Sequence, residues 1–149
     1  MHQVIDREIL LSFDEMRILL YNMGFKSIRG ILMPREEFRR EEIIRSMHHM
    51  SLHGMICFTE EGFQIRPDLE ELLRVIGEDK SDFILGPYAD GSAFFCYAEE
   101  GRIIVTRRVW ERKDMIGIRA CSMEEFTRWR EEKENDDRQY IGAHAGDLL

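Results

Sequence analysis

Between Pro34 and Gly77 the chain carries, in close succession, a helical stripe, a glycine-containing turn between two short apolar runs, and a second capped helix. None of the three is long enough to be stable alone, because short helices and lone hairpins are marginal in water. They must therefore pack on one another or on the rest of the chain. Pro34 suits the first turn of the first helix. Ile43, Ile44, Met47 and Met50 form its apolar stripe with Leu52 close by, charged residues from Arg35 to Arg45 fill the remainder, and Gly54 ends it. Met55 to Phe58, Thr59 to Gly62 and Phe63 to Arg66 have the form strand, turn, strand. Asp68 can cap the next helix with Glu71 as partner, Leu69, Leu72, Leu73 and Ile76 form its apolar face, and Gly77 closes it.

A helix, a wing-shaped hairpin and a second helix predict a winged-helix-like lobe over residues 1–80. Ahead of it, Ser12 and Glu15 form a capping box, and Phe13, Met16, Leu19, Leu20 and Met23 recur at helical spacing up to Gly24. Val4 to Leu11 reads either as an extended lead-in or as a strand of a later sheet, and Phe25 to Met33 as an irregular connector. Beyond Lys80, Phe83 to Leu85, Ala93 to Ala98, Arg102 to Trp110 and Met115 to Cys121 read as a four-stranded antiparallel meander. Ser122 and Glu125 are a further capping box, from which Met123, Phe126 and Trp129 can dock a terminal helix on the sheet. The fold expected is α+β, with the sheet and helix of residues 81–135 sharing one core with the first lobe. After Lys133 the chain turns polar, and 136–149 is expected to form a flexible tail.

The 149 residues, 44% of them hydrophobic, are enough for such a core. A formal charge of −8 disfavours general affinity for nucleic acid or an anionic membrane, so partners are expected to be proteins. Cys57, Cys96 and Cys121 are too widely spaced for a metal site and odd in number, and their apolar flanks predict buried, reduced thiols. The first residues lack the pattern of a signal peptide and no apolar run approaches the roughly 18 residues of a membrane span, so a cytoplasmic location is expected.

No candidate chemistry is complete. His49 and His53 lie four apart, a spacing that can hold zinc, with His48 beside them. No glutamate follows His49 to act as base, and no third ligand is near in sequence. There is no G-x-S-x-G elbow, P-loop or dinucleotide fingerprint, and the paired acids fall at turns or exposed helix faces. The expectation is a protein without catalytic residues, cofactor or metal.

A winged helix that binds DNA needs a basic recognition helix and wing. Between Arg35 and Arg45 four arginines face four glutamates, and Glu60 and Glu61 occupy the tip of the wing. Arg29, Arg35, Arg39 and Arg40 are the residues that a DNA-binding regulator, the alternative reading, would use. A second basic cluster, Arg102, Arg107, Arg108, Arg112 and Lys113, is split by alternation, with Arg107 and Arg108 on opposite faces. It reads as edge protection or as a surface for an acidic partner.

The segment from Gly54-Met55-Ile56 through Gly62 to Arg66-Pro67-Asp68-Leu69-Glu70-Glu71-Leu72-Leu73-Arg74-Val75-Ile76 resembles the EspG-type secretion chaperones of type VII secretion systems. Phe13-Asp14-Glu15-Met16 with Leu19-Leu20 and Gly24 is similar to that family's opening helix. The resemblance implies a cytosolic adaptor that shields a helical secretion substrate without doing chemistry. Chains of that family carry a second half repeating the arrangement, which dimerisation could restore here. The residues themselves place the expected docking surface on the sheet. Phe95 and Tyr97 share one face of a central strand, as do Ile104 and Trp110 on its neighbour, and a face left partly bare would take a second copy or a helical client.

Overall fold

A computed structural model describes residues 8–25, 39–78, 82–109 and 115–144. Ser12 joins a strand, β1 (Ile9–Ser12), directly to a helix, α1 (Phe13–Asn22). The capping box forms as expected: Ser12 Oγ accepts the Glu15 amide at 3.0 Å, and Glu15 Oε1 accepts the Ser12 amide at 2.8 Å. Next come α2 (Arg40–Leu52), the hairpin β2 (Ile56–Thr59) and β3 (Gly62–Ile65), and α3 (Pro67–Glu78). The strands β4 (Asp82–Leu85), β5 (Phe94–Glu99), β6 (Arg102–Arg108) and β7 (Met115–Ser122) lead into α4 (Met123–His144). The α+β class expected from the sequence is the one observed.

The main sheet has five strands, not four. Its order is β1-β7-β6-β5-β4, entirely antiparallel, with β1 as an edge strand beside β7 in the register Ile9 to Ile118 and Leu11 to Ile116. The apolar residues at 9 and 11 thus continue the apolar face of β7, which decides between strand and lead-in.

Strand alternation divides the apolar residues between two faces. Leu11, Tyr97, Ile104, Ile116 and Ile118 meet Met16, Leu19 and Leu20 of α1 and Leu69, Leu73 and Ile76 of α3, and the same cluster includes Met50 of α2 with Ile56 and Ile65 of the hairpin. The first lobe and the sheet therefore share a core. On the opposite face Leu85, Phe94, Cys96, Ile103, Val105 and Cys121 pack with Phe126 of α4, and Trp129 lies at the margin. Each fully buried aliphatic side chain contributes about 1.5–3 kcal/mol, so both helical layers hold firmly to the sheet.

Four boundaries differ from the sequence reading. Helix α2 begins at Arg40, after Arg39 in extended conformation (φ −84°, ψ 145°), so Pro34, which lies outside the described residues, does not start it. Helix α3 begins at Pro67, whose missing N–H costs nothing in a first turn, and Arg66 rather than Asp68 precedes it. Gly77 lies inside α3 rather than ending it. A side chain there would run into the Phe25 ring, so this glycine serves packing.

Helix α4 continues past Lys133 through 136–144, where a tail is expected. Its polar residues stay helical with support from the Arg130–Glu134 pair at 3.2 Å, and Asp137 accepts the Ala89 amide at 2.5 Å, tying this part of the helix to the β4–β5 loop. The last residues of the expected tail, 145–149, lie outside the described residues.

The thiols also divide. Cys96 and Cys121 are buried, and burial pushes the Cys96 thiol up to about 12. Cys57 is exposed, because Ile56 takes the inward position of β2 and alternation turns its neighbour out.

An ion-pair network fastens α3 to the β5–β6 turn. Arg102 donates to both Glu99 (2.9 Å) and Glu71 (3.0 Å), while Arg74 donates to Glu99 (3.0 Å) and Glu78 (3.2 Å). The Arg102 and Arg74 guanidiniums hold the Glu99 carboxyl below its usual range. A depressed folded pKa means that this contribution is complete above the unfolded value of about 4.3 and is lost as pH falls through the lower folded value. The pairs are partly solvated, so the effect is at most about 1 kcal/mol. Glu99→Gln is expected to lower the melting temperature at pH 7 and to match the wild type in strong acid. A gap that persists unchanged across an acid titration would exclude this linkage.

Candidate functional site

Tyr97 and Ile104 are 1% and 0% exposed, sealed between the sheet and helices α1 and α3. Phe95 is half-buried at the margin of the same core, and Trp110 lies outside the described residues. For Tyr97 and Ile104 the expected docking surface is therefore corrected: α1 and α3 cover one sheet face and α4 packs on the other, so these two are core residues.

The apolar surface that remains exposed is largely elsewhere. In α2 only Met50 is fully buried, with Met47 packed beside the core. Another side of this helix presents Ile44, 58% exposed, and Leu52, 71% exposed. With His48 between them they follow a spacing of four residues, which aligns all three along one helical face. Phe58, on the hairpin that follows, is 54% exposed. Glu41 and Arg45 are exposed on α2 as well, so this apolar ridge has mixed charge around it.

One buried polar contact fixes how α2 sits. The Glu15 side chain is buried, and its second oxygen, Oε2, lies 2.6 Å from His49 Nδ1. A carboxylate can only accept, so the ring nitrogen donates. Both Glu15 oxygens are thus engaged, Oε1 in capping α1 at Ser12 and Oε2 in holding α1 to α2. The His53 ring lies against His49 in a tilted arrangement, with centroids 4.4 Å apart and the planes at 51°. Among the described residues no three His, Cys, Asp or Glu side chains converge as a metal site requires.

Arg39 and Arg40 are exposed at the start of α2, whereas Arg29 and Arg35 lie outside the described residues. Glu41 and Glu42 follow immediately in the first turn, and Glu60 and Glu61 are exposed in the hairpin turn. A phosphate-binding face needs arginines free of such neighbours. On the other side of the hairpin lies an open groove of about 620 Å³, walled by Met23 just after α1, Phe63 and Ile65 of β3, and Glu70 and Arg74 of α3. Its charges are also mixed.

Among the described residues no helix is long and apolar enough to cross a membrane. The sequence matches no protein-family model and no curated protein.

Sequence reasoning places Ile44 and Leu52 with the buried stripe of this helix. The signal that separates them is angular. Ile43, Met47 and Met50 fall on one side at 100° per residue, while Ile44, His48 and Leu52 fall about a third of a turn away.

Proposed function

We propose that the protein is a non-enzymatic, cytoplasmic adaptor that binds another protein through the outer face of α2. The observation that carries this reading is the ridge of Ile44, His48 and Leu52 on a helix whose inner side fully buries only Met50. Linear apolar ridges at this spacing pack against helices, so the partner in this reading is helical. The resemblance to EspG-type chaperones makes that partner a helical secretion substrate, and a second copy of this chain is the other helical surface at hand.

The DNA-binding alternative relies on Arg39 and Arg40, but the adjacent Glu41 and Glu42 and the acidic hairpin turn oppose phosphate. The two readings separate cleanly in co-purification from the native host. Ile44→Glu combined with Leu52→Glu is expected to abolish capture of the partner and to change stability by no more than about 0.5 kcal/mol per site, since both side chains are exposed. Undiminished capture by the double variant would reject the α2 surface. Salt-sensitive duplex DNA binding that disappears in Arg39→Glu with Arg40→Glu would favour the regulator instead.

A further inference from the structure

The α4 side of the sheet contains a second feature, remote in character from the apolar ridge. Ile103 and Cys121 pack toward α4, so alternation also brings Val105, Arg107, Gly117 and Arg119 to this side. Where the helix leaves strands β6 and β7 uncovered there is a cleft of about 380 Å³, lined by Phe94, Val105, Arg107, Arg119, Trp129 and Lys133, with Glu8 in its wall as well. Arg108, one residue on, also lines the cleft, but its guanidinium turns away and lies 5.3 Å from the centroid of the Phe13 ring.

The four cations of the cleft are not equivalent. Arg107 is matched by Glu8, which accepts from Nε and Nη2 at 2.7 Å each and lies over Gly117 in space that any side chain would fill. Arg119 lies 5.2 Å from the centroid of the Trp129 ring, and among the described residues no carboxylate pairs with it. Lys133 lies 5.4 Å from the centroid of the Phe94 ring, and its carboxylate neighbour Asp90 is 3.6 Å away. The other oxygen of Asp90 already accepts the Ser92 amide and hydroxyl, at 2.9 and 2.6 Å. Phe94 and Trp129 meet edge to face at 4.9 Å, so the two cations flank one continuous aromatic wall.

A chain of net charge −8 has thus collected two weakly neutralised cations in one cleft of ligand size, beside apolar surface. A phosphate monoester carries about −1.5 to −2 at neutral pH and takes charge-assisted hydrogen bonds from arginine and lysine. We propose that this cleft binds a small organic phosphate monoester, with the phosphate between Arg119 and Lys133 and the carbon portion against Val105 and Phe94. The site involves binding alone and is independent of the α2 surface.

Phenyl phosphate is a suitable probe, titrated into the full chain labelled with nitrogen-15, with the indole N–H of Trp129 as reporter. Phenyl phosphate is expected to shift that signal saturably, with amide shifts centred on Phe94, Gly117 and Arg119. Benzoate, inorganic phosphate and phenol should each bind at least about tenfold more weakly, since benzoate lacks the second charge, phenol lacks the charge altogether and inorganic phosphate lacks the ring. Arg119→Gln and Lys133→Gln are each expected to weaken binding by about tenfold, whereas Arg66→Gln, outside the cleft and paired with Asp68, leaves it unchanged. The proposal fails if wild-type Trp129 does not respond to about 10 mM phenyl phosphate. It also fails if Arg66→Gln is as damaging as Arg119→Gln. Equal affinity for benzoate would reject the phosphate assignment, and equal affinity for inorganic phosphate would reject the role of the carbon portion.

Discussion

Ile104→Ala is expected to lower the unfolding free energy by about 2–5 kcal/mol, because it empties a fully buried position between the sheet and helices α1 and α3. Denaturant unfolding followed by circular dichroism measures it as a lower midpoint at unchanged slope. The same substitution separates two views of the residue. At an exposed docking surface, truncating an isoleucine would leave stability within about 0.5 kcal/mol and reduce only partner binding. A small stability change would therefore contradict the closed sheet face and restore the surface that the sequence suggests.

The second large effect belongs to the other face. Phe126 of α4 is buried, meets Phe83 edge to face at 5.8 Å and contacts Trp129 at the same centroid distance. Phe126→Ala is expected to cost about 3–5 kcal/mol. Hydrogen exchange should show where this stability is lost, with the amides of 123–135 becoming less protected than those of β6 and β7. A loss below about 1 kcal/mol, or protection of α4 equal to that in the wild type, would mean that this helix is not anchored by Phe126.

These two residues also mark what the sequence can convey. Phe126 follows a capping box at Ser122 and Glu125, and it sits one turn from Trp129, so its role in docking a helix is readable within ten residues of chain. The hairpin of β2 and β3, the box at Ser12 and the four strands of the meander are legible for the same reason: each is announced by local turn or cap chemistry. Ile104 is different. Alternation shows that it shares a side with neighbouring apolar groups, but which helices cover that side depends on contacts between residues far apart in sequence.

The same holds for β1, whose place is set by pairing Ile9 with Ile118, and for Gly77, which looks like a helix stop until Phe25 packs against it. The exposed ridge of α2 was partly legible. Its residues are visible as apolar, but adjacent isoleucines at 43 and 44 cannot be divided between inside and outside without knowing that Met47 and Met50 face the core. The basic cleft was less accessible still, because the sequence docks the terminal helix on the sheet without showing that Lys133 comes to the same side as Arg119.

The adaptor reading depends on where a partner touches the protein, and photocrosslinking in the native host reports that contact directly. A photoreactive amino acid is placed at Ile44, on the α2 ridge, in one variant and at Glu131, exposed on α4, in another. The expected result is a discrete, saturable protein adduct from position 44 that is absent from position 131 and is lost when Leu52 is changed to Glu. Adducts of equal yield at both positions, or none at position 44 while position 131 reacts, would contradict binding through α2.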